Sequence, residues 1–240
     1  MQINIPFAQS KSWWHQAFRW LALAGVVGPM LYVGVFTLAG FLRPGYSPVR
    51  QSVSTLGVGT NAWLLNTDAV VFGVLLLAFA IGFFLLMQQI IKKGMLVTCL
   101  VLLILSSVGA INTGIFPAAS GTAVLHWTLG FLLGLLPLVV VYTIAGWQWR
   151  QRSGWRGYGW YSLATALGTV VLILLAFVLL APRRASGGPV SDIGGLIERM
   201  LILVAFAWHV VIGWRLFVLA KFRQQADTQE GKNKSLSIEG

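Results

Sequence analysis

The 240-residue sequence is 57% hydrophobic and only 10% charged, with a strongly positive mean hydropathy. This composition excludes an ordinary soluble domain and matches a protein of the bilayer. An excess of 17 basic over 6 acidic residues gives a net charge of +11, but the basic residues sit in short clusters beside apolar runs. They read as topology signals and not as a nucleic-acid surface.

Residues 1–17 read as a cytoplasmic, interfacial segment, because Trp13 and Trp14 lie among Lys11, His15 and Arg19, the mixture found where a chain lies along a membrane surface. Six apolar runs follow, at about 18–42, 62–91, 95–116, 123–147, 160–181 and 194–219. Each is long enough to cross a hydrocarbon core of ~30 Å. The first is longer than the h-region of a cleaved signal peptide and is read as retained. Cys99, the single cysteine, falls inside the third run, so no intrachain disulfide is available. The expected fold is all-α: one bundle of six transmembrane helices over residues 18–220, then a polar tail over 221–240. That tail has no apolar period and is expected to be disordered in the cytosol.

Orientation follows from the Lys and Arg count. Twelve of them fall on the side that holds both termini and the basic loop QWRQRSGWRGYGW, against five on the other side. Both termini are therefore expected to be cytoplasmic. Small residues mark expected helix contacts, with Gly130 and Gly134 in the fourth run and Ala24 and Gly28 in the first.

With that orientation a polar layer forms near the outer boundary. Asn66, Asn112, His126 and Glu198 lie near the outer ends of the second, third, fourth and sixth runs, each roughly 5 to 8 Å deep. His126 shares the stripe of Gly130 and Gly134, Glu198 that of Gly194 and Ala205, Asn66 that of Ala69 and Gly73, and Asn112 that of Gly109. All four are expected to face the bundle. Asp68 instead shares its stripe with Phe72, Leu75 and Phe79, which reads as facing lipid or a bulky neighbour, with the carboxylate snorkelling outward.

The stretch YSPVRQSVSTLGVGTNAWLLNTD, residues 46–68, brings Arg50, Ser52 and Ser54 to the same side, with Gly57 and Gly59 to turn the chain. A buried Arg50 paired with Glu198 would neutralise both charges. The expected ligand pocket is thus Arg50, Ser54, Asn66, Asn112, His126 and Glu198.

Ser54, His126 and an acid have the residue types of a nucleophile, base and orienter, but no nucleophile-elbow motif accompanies them. One inward His and one inward Glu are too few for a closed zinc site. His209 lies ~16 Å along its helix from Glu198, so it belongs to neither a shared metal shell nor a haem pair with His126; it is expected to bond a neighbouring helix. Arg199 reads as an interfacial anchor. No cofactor and no metal are expected.

These features in this order resemble the membrane family called domain of unknown function 998. The matching motifs are Ser54 to Gly57 as Ser-x-x-Gly, Asn66, Gly114 to Pro117 as Gly-x-Phe-Pro, Leu125 with His126, and Gly195 with Arg199 as Gly-x-x-x-Arg. The resemblance runs from about residue 18 to 219 and implies the six-span fold and the membrane location, but no established activity. The family pattern commonly places an Asp where this chain has Ala119; if that Asp works with the His, half of a catalytic pair is missing here.

The functional expectation is a non-catalytic membrane module. Its outward pocket would bind a lipid headgroup or small polar ligand, or support a protein partner. The alternative is an intramembrane lipid hydrolase or transferase with Ser54 as nucleophile, His126 as base and Glu198 as orienter. Transport ranks third, because the midplane is almost wholly apolar apart from Thr98, Ser106 and Ser107. A prokaryotic plasma membrane is the expected location.

Overall fold

The computed structural model describes residues 10–185 and 193–239. The first nine residues of the interfacial segment lie outside that range. Among the described residues all regular structure is helical, and six helices are long and apolar enough to span a membrane. Apolar runs of this length become helices because hydrocarbon offers no partner to a backbone N–H or C=O, so each segment closes its own hydrogen bonds. The protein is an all-α, multi-pass membrane protein.

Helix α1 runs Ser10–Phe41, α2 Ala62–Met87 and α3 Lys93–Ile115. The fourth span, Ala123–Trp149, is not uniform. It comprises α4 (Ala123–Leu129), a π-helical stretch (Gly130–Leu135) and α5 (Leu136–Trp149). Pro137 stands at the start of α5. It has no N–H to give to the carbonyl of Leu133, and its ring crowds that carbonyl, so the wider π turn just before it accommodates both effects. Helix α6 covers Arg156–Ala185 and α7 Gly194–Glu239.

The tail expected to be disordered is instead the helical continuation of α7. It carries Gln, Glu and Lys residues, which are good helix formers, and extending a helix already nucleated in the membrane is far easier than starting one.

The spans pack in chain order into a closed ring. Helix α1 packs on α2, α2 on α3, α3 on the fourth span, α5 on α6 and α6 on α7, and α7 returns to α1. Close backbone approaches fix this arrangement. Gly109 of α3 abuts the backbone of Gly134, where any side chain would force the two helices apart. Three hydroxyls of α3 are satisfied locally: Thr98, Ser106 and Ser107 donate to the carbonyls of Gly94, Leu102 and Leu103 at 3.1, 3.0 and 2.8 Å. These bonds to the preceding turn leave α3 intact.

One half of the ring interior is filled by aromatic rings. Phe79, Phe83, Tyr142, Trp149 and Trp208 are all buried, with Trp149 stacked on Trp208 at 6.2 Å and Tyr142 tilted against Trp208 at 4.7 Å. Trp208 Nε1 donates to Ser162 Oγ at 2.8 Å. His209 lies in this layer, against Phe79, Tyr142 and Trp208. It does not bond a neighbouring helix: its Nδ1–H donates to Ala205 O of its own helix at 3.0 Å, and Nε2 is buried without a partner.

Candidate functional site

The other half of the ring is organised by the connection between α1 and α2. This loop turns through Gly59 (φ 85°) and Asn61 (φ 60°), both left-handed, and contains a short 3-10 helix, Val53–Gly57. Three side chains from the spans hold it down. Arg199 Nη1 on α7 donates to Pro48 O and Gln51 O at 2.6 and 2.9 Å, and Nη2 donates to the Tyr46 hydroxyl. Glu198 accepts the N–H of Val53 at 3.1 Å, satisfying a donor that the first turn of the 3-10 helix leaves without a partner. Asn66 Nδ2 on α2 donates to Gly57 O at 3.0 Å.

Two further details explain why α7 starts where it does. Leu196 N donates to Val49 O at 2.9 Å, so the loop supplies an acceptor to the first turn of the helix. A Cβ at Gly195 would collide with the carbonyls of Gln51 and Pro48; only glycine lets α7 come this close. Tyr46, outside the spans, accepts from Arg199 and donates toward Ser52 O at 3.0 Å. Burial raises its pKa, while the neighbouring guanidinium pulls the other way.

Across the bundle the turn between α3 and α4 is tied in the same manner. His126 Nδ1 lies 2.8 Å from Phe116 O, Asn112 Nδ2 donates to Leu125 O at 3.3 Å, and Thr122 Oγ1 donates to Pro117 O at 2.6 Å. A carbonyl only accepts, so Nδ1 of His126 carries the hydrogen. In the neutral ring Nε2 then offers a lone pair. Ala119, in the same turn, contributes backbone bonds to Thr122 and Ala123.

Between the two tied regions lies a cavity of roughly 260 Å³. Four of the six expected residues line it: Ser54, Asn66, His126 and Glu198. The other two are placed differently. Asn112 is buried beside the cavity with its amide turned to the α4 backbone. Arg50 is exposed and not buried as expected. Arg199, one turn into α7, fills the underside of the loop instead, where its planar fork meets two carbonyls that a loop so close to the helix would otherwise leave unmatched.

Asp68 does not reach lipid. It is 5% exposed, and Phe72 and Phe79 on its stripe are buried as well, because that face of α2 is covered by α1 and α7. Its Oδ2 has no hydrogen-bond partner. Tyr32 of α1, which lines the cavity, is within electrostatic reach of both Asp68 and Glu198. Sequence periodicity gave no hint of Tyr32, whose importance depends on how α1 is rotated. The π stretch was likewise unforeseen, although Pro137 is its signal.

The motifs singled out in the sequence are thus partners of one another. Asn66 bonds Gly57, His126 bonds Phe116 of the Gly-x-Phe-Pro segment, and Arg199 and Gly195 grip the loop. A family profile described as Protein of unknown function (DUF998) matches residues 26–215, more than half of the chain. The chain belongs to this family. No curated protein and no solved structure matches.

Proposed function

We propose that this member of the DUF998 family is a membrane binding module whose cavity, on the outward side, takes a lipid headgroup or small polar ligand. The observation that carries the reading is the cavity at the level of Ser54, Asn66, His126 and Glu198, enclosed by helices that elsewhere fill their interior with rings. A bilayer protein that keeps polar side chains around open volume has a ligand or substrate to place there.

The hydrogen bonds favour binding over catalysis. In a triad the orienting carboxylate bonds the base through the nitrogen opposite the nucleophile; here the Nδ1 of His126 bonds a backbone carbonyl, and Glu198 bonds the loop. Ser54 Oγ pairs with Ser52 Oγ at 2.9 Å. The hydrolase or transferase reading keeps one supporting observation, that Ser54, His126 and Glu198 line the same cavity. Turnover of any membrane lipid by the purified protein that is lost in Ser54→Ala would establish it.

The binding reading is tested by native mass spectrometry of protein extracted gently from its own membrane. A retained molecule that is lost in His126→Ala supports the pocket; identical apo masses for both proteins would overturn it. The Lys and Arg asymmetry supports cytoplasmic termini. Cys99 is buried, so a single exposed cysteine can be read cleanly: an impermeant maleimide should label Thr60→Cys in intact cells and Ser153→Cys only after permeabilisation. The reverse pattern would invert the topology.

A further inference from the structure

The end of the bundle away from the cavity carries a second polar cluster, on the outside of the ring. Helix α5 ends at Trp149 and α6 begins at Arg156, and there the two helices touch backbone to backbone. A Cβ at Gly146 would meet the carbonyl of Gly159, and a Cβ at Gly159 would meet the backbone of Arg150. Glycine at both positions brings the last turn of α5 against the first turn of α6. On the outer side of that seam stand Trp147 and Trp160, 50% and 55% exposed. Each is within about one turn of a span end, the level at which indole rings sit among lipid headgroups.

Arg150 lies in this seam. Its guanidinium carbon is 3.6 Å from the centre of the Trp147 ring and 5.9 Å from that of Trp160. The indole faces attract the charge, but the N–H bonds of a guanidinium point outward in its own plane, and a ring on its face accepts none of them. Arg150 Nε is buried without a hydrogen-bond partner, and no carboxylate among the described residues pairs with the group. Arg156 is exposed and lies four residues before Trp160, on the same face of α6; it too has no carboxylate partner among the described residues. The first turn of α6 adds the N–H groups of Arg156, Gly157 and Tyr158, which have no backbone acceptor before them.

The loop at the other end treats its guanidinium groups differently. Arg43 and Arg199 each donate to backbone carbonyls. In the α5–α6 seam the protein supplies charge, in-plane donors and an aromatic bed, and leaves the acceptors to come from outside. A phosphodiester in the adjoining leaflet lies at the level of the two indoles and carries two free oxygens that match a guanidinium fork. Its acyl chains have an exposed wall to follow, Val140 and Thr143 on α5 and Ala164 and Leu167 on α6. Two cations without a carboxylate favour a lipid of net negative charge over a zwitterionic one.

We propose that the α5–α6 seam is a binding site for one anionic phospholipid, its phosphate held by Arg150 and Arg156 against Trp147 and Trp160. The site is independent of the cavity, roughly 35 Å along the fourth span from His126.

The test titrates the full chain, in a neutral detergent, with phosphatidylglycerol and follows the bound lipid by native mass spectrometry. Phosphatidylglycerol should bind several-fold more tightly than phosphatidylcholine with the same chains, and free glycerol 3-phosphate should not displace it. Arg150→Gln and Arg156→Gln should each weaken its binding about tenfold, the value of one charge-assisted hydrogen bond. The pair Lys92→Gln with Lys93→Gln removes two charges from exposed positions at the same end of the bundle and should leave the affinity nearly unchanged.

An equal loss in the lysine pair would reduce the effect to general surface charge and overturn the site. Equal binding of phosphatidylcholine, or displacement by glycerol 3-phosphate, would overturn the anionic lipid as its occupant. Should Arg150→Gln fail to fold, Arg156→Gln, at an exposed position, decides alone: unchanged affinity in that variant overturns the proposal.

Discussion

At one end of the bundle Phe79, Phe83, Tyr142, Trp149 and Trp208 are buried in mutual contact; at the other, Tyr32, His126 and Glu198 surround a cavity of roughly 260 Å³. The two histidines make the contrast sharp. His209 and His126 each turn Nδ1 to a backbone carbonyl, yet the first is enclosed by Phe79, Tyr142 and Trp208 and the second borders open volume. The same ring-to-carbonyl bond therefore belongs to dense packing in one layer and to a cavity wall in the other. Between hydrocarbon-soluble helices, water gives no drive to associate, so van der Waals contact must hold the ring. The aromatic end supplies that contact and lets the polar end leave space.

The strongest way to break this division is Trp208→Ala. Removing a fully buried indole should cost about 3 to 5 kcal/mol through lost contact and the void it leaves, measured as unfolding in a detergent titration. A loss no larger than that of a surface substitution would mean that the aromatic layer is not the stabilising half.

Next in size is Arg199→Ala. It removes the hydrogen bonds to Pro48, Gln51 and Tyr46 and should cost about 2 kcal/mol, appearing as faster amide exchange over residues 43–57 with little change at the aromatic end. Arg199→Lys should not restore protection, because one ammonium cannot reproduce a planar fork that reaches two carbonyls and a phenol. Full rescue by Lys would reduce Arg199 to a simple charge at the interface.

The smallest effect on stability is expected from His126→Ala, about 1 kcal/mol for one lost hydrogen bond. The same variant should abolish ligand-dependent stabilisation in a thermal-shift experiment. If it unfolds the protein as severely as Trp208→Ala, the two ends do not differ in kind and His126 is a structural tie.

How legible each feature was depends on whether its cause is local. The six spans were readable because a segment surrounded by lipid must satisfy its backbone within itself, so run length alone reveals it. Asn66, His126 and Glu198 were placed at one level because each lies near a helix end and on a face marked by small residues, and Ser54 because its loop lies on the same side. Arg50 was expected to be buried and is exposed, while Arg199 holds the loop from beneath, since nothing in a linear count tells which guanidinium a folded loop will cover. The tail was misread because polarity was taken for disorder, although α7 continues straight into it.

What the sequence by itself determined is the class of the protein, the number of its spans and the level at which its polar residues collect, all consequences of hydropathy and helical period. What only the tertiary structure decided is which of those residues share a cavity. Asp68 became buried because α1 and α7 cover its face of α2, Asn112 turned its amide to α4, and Tyr32 entered the lining from a helix with no polar signal of its own. Such placements depend on the rotation and closure of neighbouring helices, which are set by packing between segments far apart in the chain.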